Sequence, residues 1–223
     1  FLPFVAKQIE VRKKFLEESN VKRENKHLVY LNNKNAWFRL TSCTDVSRDH
    51  LLYKKYDLSG DALARKYILQ GGTVSLEGKN IIHRQGVGQD GVYGMLPNKP
   101  LGPKPMPGIT SVDLSSAGRL GTLQYATIKF KCHDLEQLEI MDALYMKLGF
   151  SLVLEWGHTI YLDENSDLKS PTPLNIFDHR TKENLVKAIQ RKRISHNANY
   201  DAMLGTVSNF GWETNPNGSY DCE

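Results

Sequence analysis

Glu155 comes nearest to a catalytic acid in this chain, because it lies on a strand with the apolar Phe150, Leu152, Val153, Leu154 and Trp156. A carboxyl group on a buried strand is disfavoured in its charged form, which makes it a candidate proton donor or acceptor. Asp163 is the acid to test beside it for hydrolysis. No spacing places a second acid next to Glu155, and a structural hydrogen bond or salt bridge is the plainer reading. Cys132-His133-Asp134 has metal-ligand residue types in a row. Successive side chains of a strand point to opposite faces, so His133 opposes its neighbours and the three do not chelate together. They read as a core cysteine, a surface histidine and a helix cap. Asp163, Asn165 and Asp167 have the spacing of calcium ligands, but the loop then needs Gly where Leu168 stands and Glu where Leu174 stands. An acidic turn is expected there instead.

Two glycine patterns fail on context. Gly86-Val87-Gly88-Gln89-Asp90-Gly91 fits the dinucleotide fingerprint, whose chemistry needs a helix to start at once so that its N-terminus meets a pyrophosphate. Val92-Tyr93-Gly94-Met95-Leu96-Pro97 follows and is no such helix. Gly78-Lys79 has the look of a phosphate-loop end, with Asn80 in place of Ser or Thr. No two histidines stand four apart, and neither C-x-x-C nor G-x-S-x-G occurs. Asn217-Gly218-Ser219 is a glycosylation sequon that a hairpin tip explains equally well. No catalytic, cofactor-binding or metal-ligating residue is assigned, and the chain is read as not an enzyme.

The elements around these residues are uneven in clarity. Val5, Ile9 and Leu16, with Phe15 beside them, predict a helix over 3–18. Residues 20–26 read as loop, 28–31 and 36–40 as short strands, and 32–35 as the turn between them. Residues 45–61 are irregular and charged, 62–70 are helix or strand ended by Gly71-Gly72, and 80–84 are a short strand. Residues 86–108 are so rich in Gly and Pro that neither helix nor central strand fits, leaving an arm or linker. Val112 and Leu114 begin a strand, and Gly118 and Gly121 bracket a turn. The cleanest alternation follows. Ala126, Ile128, Phe130 and Cys132 share one face; Tyr125, Thr127, Lys129 and Lys131 share the other. Asp134 with Gln137 gives a capping-box pattern for a helix carrying Leu138, Met141, Leu144, Tyr145 and Leu148, stopped by Gly149. A strand over 150–156 completes a strand–helix–strand unit, whose two strands are not fixed as parallel or antiparallel. A turn-rich return over 161–168, a stiff Ser170-Pro171-Thr172-Pro173 connector, a helix over 181–193 with Leu185, Val186 and Ile189, and a strand over 204–212 follow. Asn215-Pro216-Asn217-Gly218 then signals a hairpin whose return strand opens at Tyr220.

The bulk properties exclude whole classes. With 223 residues, 40% hydrophobic and 24% charged, the chain is neither wholly disordered nor fibrous, and it can bury a core without staples. No apolar run reaches the roughly 18 residues of a membrane span. The charged start, with Lys7, Glu10, Arg12, Lys13 and Lys14, excludes a signal-peptide core. Cys43, Cys132 and Cys222 are far apart in sequence and odd in number, which predicts reduced thiols in a protein made in a cytoplasm. A net charge of +4 permits an acidic partner without demanding one. Locally, 7–26 holds seven Lys/Arg against four Glu, and 180–193 holds six against one, patterns that solvated helix faces also show. Phe1 stands where an initiator Met would, and Tyr220-Asp221-Cys222 reads like a strand cut short, so a piece of a longer protein is expected.

Several segments carry a family likeness: Pro105-Met106-Pro107-Gly108-Ile109, Gly121-Thr122-Leu123, Ala126-Thr127-Ile128-Lys129-Phe130, Gln137-Leu138-Glu139, Leu144-Tyr145 and Leu154-Glu155-Trp156-Gly157, with Gln8, Arg12, Tyr30-Leu31-Asn32, Ala36-Trp37 and Leu69-Gln70-Gly71-Gly72 before them. Together they resemble structural tail and baseplate proteins of contractile-tailed bacteriophages, and the strand–helix–strand resembles their tube or hub domain. The resemblance implies an α+β fold, mainly an antiparallel β-barrel or sandwich of tail-tube or hub type, with packed helices and extended arms. It implies copies that join sheets into a ring, neighbouring tail proteins as partners, passing contact with DNA in a lumen, and residence in the virion. It carries over no catalytic residue. An alternating strand with Lys129 and Lys131 on its polar face suits a wet lumen, and a Gly/Pro arm suits reaching onto a neighbour.

The expected organisation is an N-terminal helix plus small β region over 1–85, an arm or linker over 86–108, and a tube-like β domain over 109–223 with helices at about 134–148 and 181–193, continuing past 223. The leading expectation is a virion structural protein of a phage tail at a tube, hub or baseplate position. A nucleic-acid-binding module using the two basic stretches, with Tyr53, Tyr56 and Tyr67, is the first alternative. A tail-borne cell-wall hydrolase using Glu155 and Asp163 is the second.

Overall fold

The structure, a computed structural model, describes residues 3–43, 64–65, 67–72, 105–117, 123–179 and 181–223. The segment 45–61, both glycine patterns, the strand expected at 80–84, most of the arm at 86–108 and the turn at Gly118 and Gly121 lie outside the described residues. The chain divides into two compact units. One takes residues 1–37, 72–80 and 155–203; the other takes 38–71, 81–154 and 204–223.

In the first unit, α1 (Pro3–Val21) and α2 (Asn25–Asn33) pack together around Phe15, Tyr30 and Leu162. The buried stripe of α1 is Gln8, Phe15 and Ser19, with Val11 partly covered, whereas Ile9 and Leu16 are exposed. The face expected from Val5, Ile9 and Leu16 is therefore rotated. Phe15 sets it, because its ring is gripped by His27 (centroids 4.5 Å) and Tyr30 (5.3 Å). The strand expected at 28–31 is instead the middle of α2. Leu28, Val29, Tyr30 and Leu31 favour a strand by type, but His27 Nδ1 accepts from the Glu24 N–H at 3.0 Å and caps a helix. His27 and Tyr30, three apart, then share the buried face, with Leu28 and Leu31 outside.

β1 (Ala36–Ser42), β2 (Leu69–Gly72), β5 (Ser151–His158) and β8 (Tyr200–Thr206) form a sheet in the order β2-β1-β5-β8. His158 N donates to Asn199 O and Val207 N to Phe150 O, so β5 and β8 run antiparallel. Cys43 N donates to Ser151 O and Thr159 N to Asn35 O, which sets the same sense for β1 and β5. The strand expected at 204–212 begins at Tyr200 and ends at Thr206. Trp37 and Tyr200 are buried side by side in the first unit, and a Cβ on Gly157 would stand 2.9 Å from Asn199 O and 3.0 Å from the Trp37 ring. The unit also holds the hairpin β6 (Tyr161–Leu162) with β7 (Leu168–Lys169), and α4 (Lys182–Ser195), capped by Thr181 and buried at Leu185 and Ile189.

In the second unit, β3 (Gly108–Ala117), β4 (Leu123–Cys132), β9 (Trp212–Thr214) and β10 (Tyr220–Cys222) form an antiparallel sheet in the order β3-β4-β10-β9. The hairpin read from Asn215-Pro216-Asn217-Gly218 joins β9 to β10, with Gly218 at φ +77°. After β4 comes α3 (Leu135–Leu144), whose N-cap Asp134 accepts from Gln137 N at 2.8 Å, while Gln137 Oε1 accepts from His133 N at 2.7 Å. The helix stops four residues short of Leu148. Tyr145 leaves the helical register to donate its hydroxyl to Tyr67 O (2.7 Å) and Leu40 O (3.2 Å), and Gly149 completes the reversal at φ +82°. The strand–helix–strand unit is present, but β4 and β5 belong to different sheets and do not pair. The architecture is α+β with antiparallel sheets, and no sheet closes into a barrel among the described residues.

Candidate functional site

The two candidate acids are engaged in holding the fold. On β5, Val153, Glu155 and Gly157 are buried on one face, and on the other Leu154 is buried while Leu152 and Trp156 are partly covered, so the strand is packed on both faces. Glu155 is fully buried, and its Oε1 accepts from the Tyr200 hydroxyl (2.9 Å) and from Leu174 N (2.7 Å). It thereby ties β5 to β8 and to the Pro-rich connector. Asp163 organises the β6–β7 turn: its Oδ1 accepts from Asn165 N and Asp167 N, both at 2.9 Å. Its carboxylate is spent on backbone donors, as an acidic turn requires. Among the described residues no group of three or more His, Cys, Asp or Glu side chains is placed to hold a metal ion.

Cys132 is buried, His133 is half-buried, and Asp134 caps α3. Desolvation, and then the Lys131 charge, push the His133 imidazole below its ordinary value. Sequence reasoning missed what stands next to Cys132. Cys222, 90 residues on, brings its Sγ to 4.0 Å across β4 and β10. No local pattern signals that pair; only the register of the two strands reveals it.

Part of each basic stretch is ion-paired. Lys7 meets Glu164 at 2.6 Å, Lys22 and Lys26 flank Glu24, and Arg193 grips Asp201. Arg12 donates through Nη2 to Asn199 Oδ1, and Asn199 Nδ2 donates to Gln8 Oε1. This buried polar knot also went unread in the sequence, since 187 residues separate Arg12 from Asn199. Tyr53 and Tyr56 lie outside the described residues, and Tyr67 is half-buried with its carbonyl engaged by Tyr145.

What the second unit does present is a sheet edge. In the β3–β4 ribbon, Val112 pairs with Ile128 and Leu114 with Ala126, making an apolar stripe on one face. Asp113 faces Thr127 and Ser115 faces Tyr125 on the other. Phe130 and Cys132 are buried, but beyond Ile128 the ribbon is exposed on both faces, with Leu114 47%, Tyr125 49% and Leu123 53% exposed. β3 is one outer strand of this sheet and β9, bearing exposed Trp212, is the other. Lys129 and Lys131 lie on the polar face as expected, where they pair with Glu223 (3.4 Å) and Asp221 (3.6 Å). No helix among the described residues is long and apolar enough to cross a membrane. No family model matches the chain, and no curated protein or solved structure is similar enough to it to count as a match.

Proposed function

We propose that the chain is an assembly component that works by protein–protein contact, as a structural protein of a contractile phage tail at a tube, hub or baseplate position. The observation that carries this reading is the β3–β4 ribbon: a ten-residue outer strand without proline, apolar on one face and exposed on both near its tip. Folded proteins blunt such edges with prolines, lysines or covering elements, because an unpaired ladder recruits another strand. β3 has neither proline nor lysine; its bulge between Ile109 and Ser111 lies at the base and Asp113 is its only charge, so a partner strand is the cover that fits the length beyond.

The tail assignment is supported by where the family-like segments lie. Pro105-Met106-Pro107 leads straight into β3, the Ala126 to Phe130 segment lies in β4, the ribbon's second strand, and Leu154-Glu155-Trp156-Gly157 lies on β5, where Leu154, Glu155 and Gly157 are buried. In this reading further copies extend the β3-β4-β10-β9 sheet into the barrel-like ring of a tube or hub. Its partners are copies of itself and neighbouring tail proteins, and its place is the virion. Immunogold labelling of purified particles with an antibody against this chain tests it. Gold at a fixed position on the tail is expected; particles that carry no label would defeat the assignment.

A further inference from the structure

We propose that Cys132 and Cys222 form a redox modification site, a dithiol that thiol–disulfide exchange converts into an intramolecular disulfide fastening β10 to β4. The register places them as diagonal neighbours: Cys132 is opposite Tyr220 and Cys222 is opposite Phe130. Both side chains are buried, and their Sγ atoms stand 4.0 Å apart. Bond formation must bring the sulfurs to about 2.05 Å. Diagonal Cα atoms in an antiparallel pair lie about 7–8 Å apart, beyond the roughly 4.4–6.8 Å that a disulfide usually spans, so closure requires the backbone of β10 to move inward. β10 has only three residues, which makes that adjustment local.

The chemistry needs an oxidant, and the class that fits is a low-molecular-weight disulfide such as oxidised glutathione. One thiolate attacks it, forming a mixed disulfide and releasing one glutathione thiolate. The second cysteine then attacks the protein-bound sulfur, closing the Cys132–Cys222 bond and releasing the second glutathione. The protein loses two electrons and two protons, and one oxidised glutathione becomes two reduced ones. Cys222 is the first nucleophile: its hydrogen-bond contact with Cys132 draws its thiol below the ordinary value, against burial and the Asp221 charge. The same bond, with burial, pushes Cys132 far up. Cys43 is exposed and serves as an internal standard.

The test uses the full chain carrying Cys43→Ser, incubated folded with oxidised glutathione, then alkylated, digested and read by mass spectrometry. The expected result is a Cys132–Cys222 cross-linked peptide, a loss of about 2 Da in the intact mass, and a melting temperature raised until dithiothreitol reverses it, since the bond closes a long loop. Cys222→Ser in the same background is expected to abolish the cross-link and the melting shift. In the unsubstituted chain Cys43 is expected to take up glutathione without closing a bond. The proposal is overturned if both thiols are alkylated in full after oxidation, if each instead keeps its own glutathione, or if the cross-link forms only in denaturant.

Discussion

Glu155, the residue nearest to a catalytic acid in the sequence, is a hydrogen-bond hub in the fold. Its carboxylate is sealed in, and Tyr200 and Leu174 both direct donors at one oxygen. Glu155→Ala leaves those two donors buried without that acceptor, which costs about 2–6 kcal/mol at roughly 1–3 kcal/mol per orphaned group. Glu155→Gln keeps an acceptor oxygen in place and is expected to lose less than half as much. Urea titration of both variants decides the matter, and equal losses would mean that the two hydrogen bonds are not what Glu155 supplies. His158 gives a second prediction. Burial, then the Lys34 and Arg12 charges, hold its imidazole below the ordinary 6.5, opposed by a hydrogen bond with Asn199. The folded state therefore prefers neutral His158. Its contribution is fully present above pH 6.5 and is lost as pH falls from there through the lower folded-state value. Between pH 7.5 and 5.5 the parent protein is expected to lose melting temperature faster than His158→Asn, and identical slopes would contradict the assignment. The sequence offered the residue types but not these surroundings, because Tyr200, Leu174 and Asn199 reach their partners through tertiary packing.

Local rules decide some elements and fail at others for identifiable reasons. The Asp134 cap, the alternation of β4 and the Asn215 to Gly218 turn involve residues within a few positions of one another, so they were legible. Asp134→Ala is expected to cost about 1 kcal/mol, the usual value of an N-cap side chain; Asp134→Asn should retain most of it. Thermal melts of the two variants check this, and an undiminished Ala variant would show that the cap is idle. By contrast, β-prone residues at 28–31 became helix because the Glu24–His27 cap and the packing of Tyr30 on Phe15 outweighed residue preference. The α3 stop at Leu144 depends on Tyr145 reaching carbonyls of residues 40 and 67, which no window of sequence contains. Gly157 is an element-scale requirement too. Any side chain there meets the Trp37 ring and Asn199 O, so Gly157→Ala is expected to lower stability by about 1–3 kcal/mol, the usual cost of overpacking.

For the molecule as a whole, composition fixed the class and little more: an average apolar content fits an α+β protein with cores, and it is silent about which strands share a sheet. β4 and β5 look like partners in sequence and are not, because β4 lies between its predecessor β3 and the distant β10, whereas β5 lies between β1 and β8. What makes the molecule unusual is the ribbon that projects apolar residues from the edge of the β3-β4-β10-β9 sheet. Leu114→Lys with Ser116→Lys places charge on exposed positions of β3, the device by which natural edges avoid pairing. Sedimentation velocity of the purified chain, with and without this pair of substitutions, tests edge-to-edge assembly most directly. The parent chain is expected to sediment as oligomers that grow with concentration, and the variant as a folded monomer of 25.3 kDa with an unchanged circular dichroism spectrum. A parent chain that stays monomeric at every concentration, or a variant that assembles as well as the parent, would contradict the account.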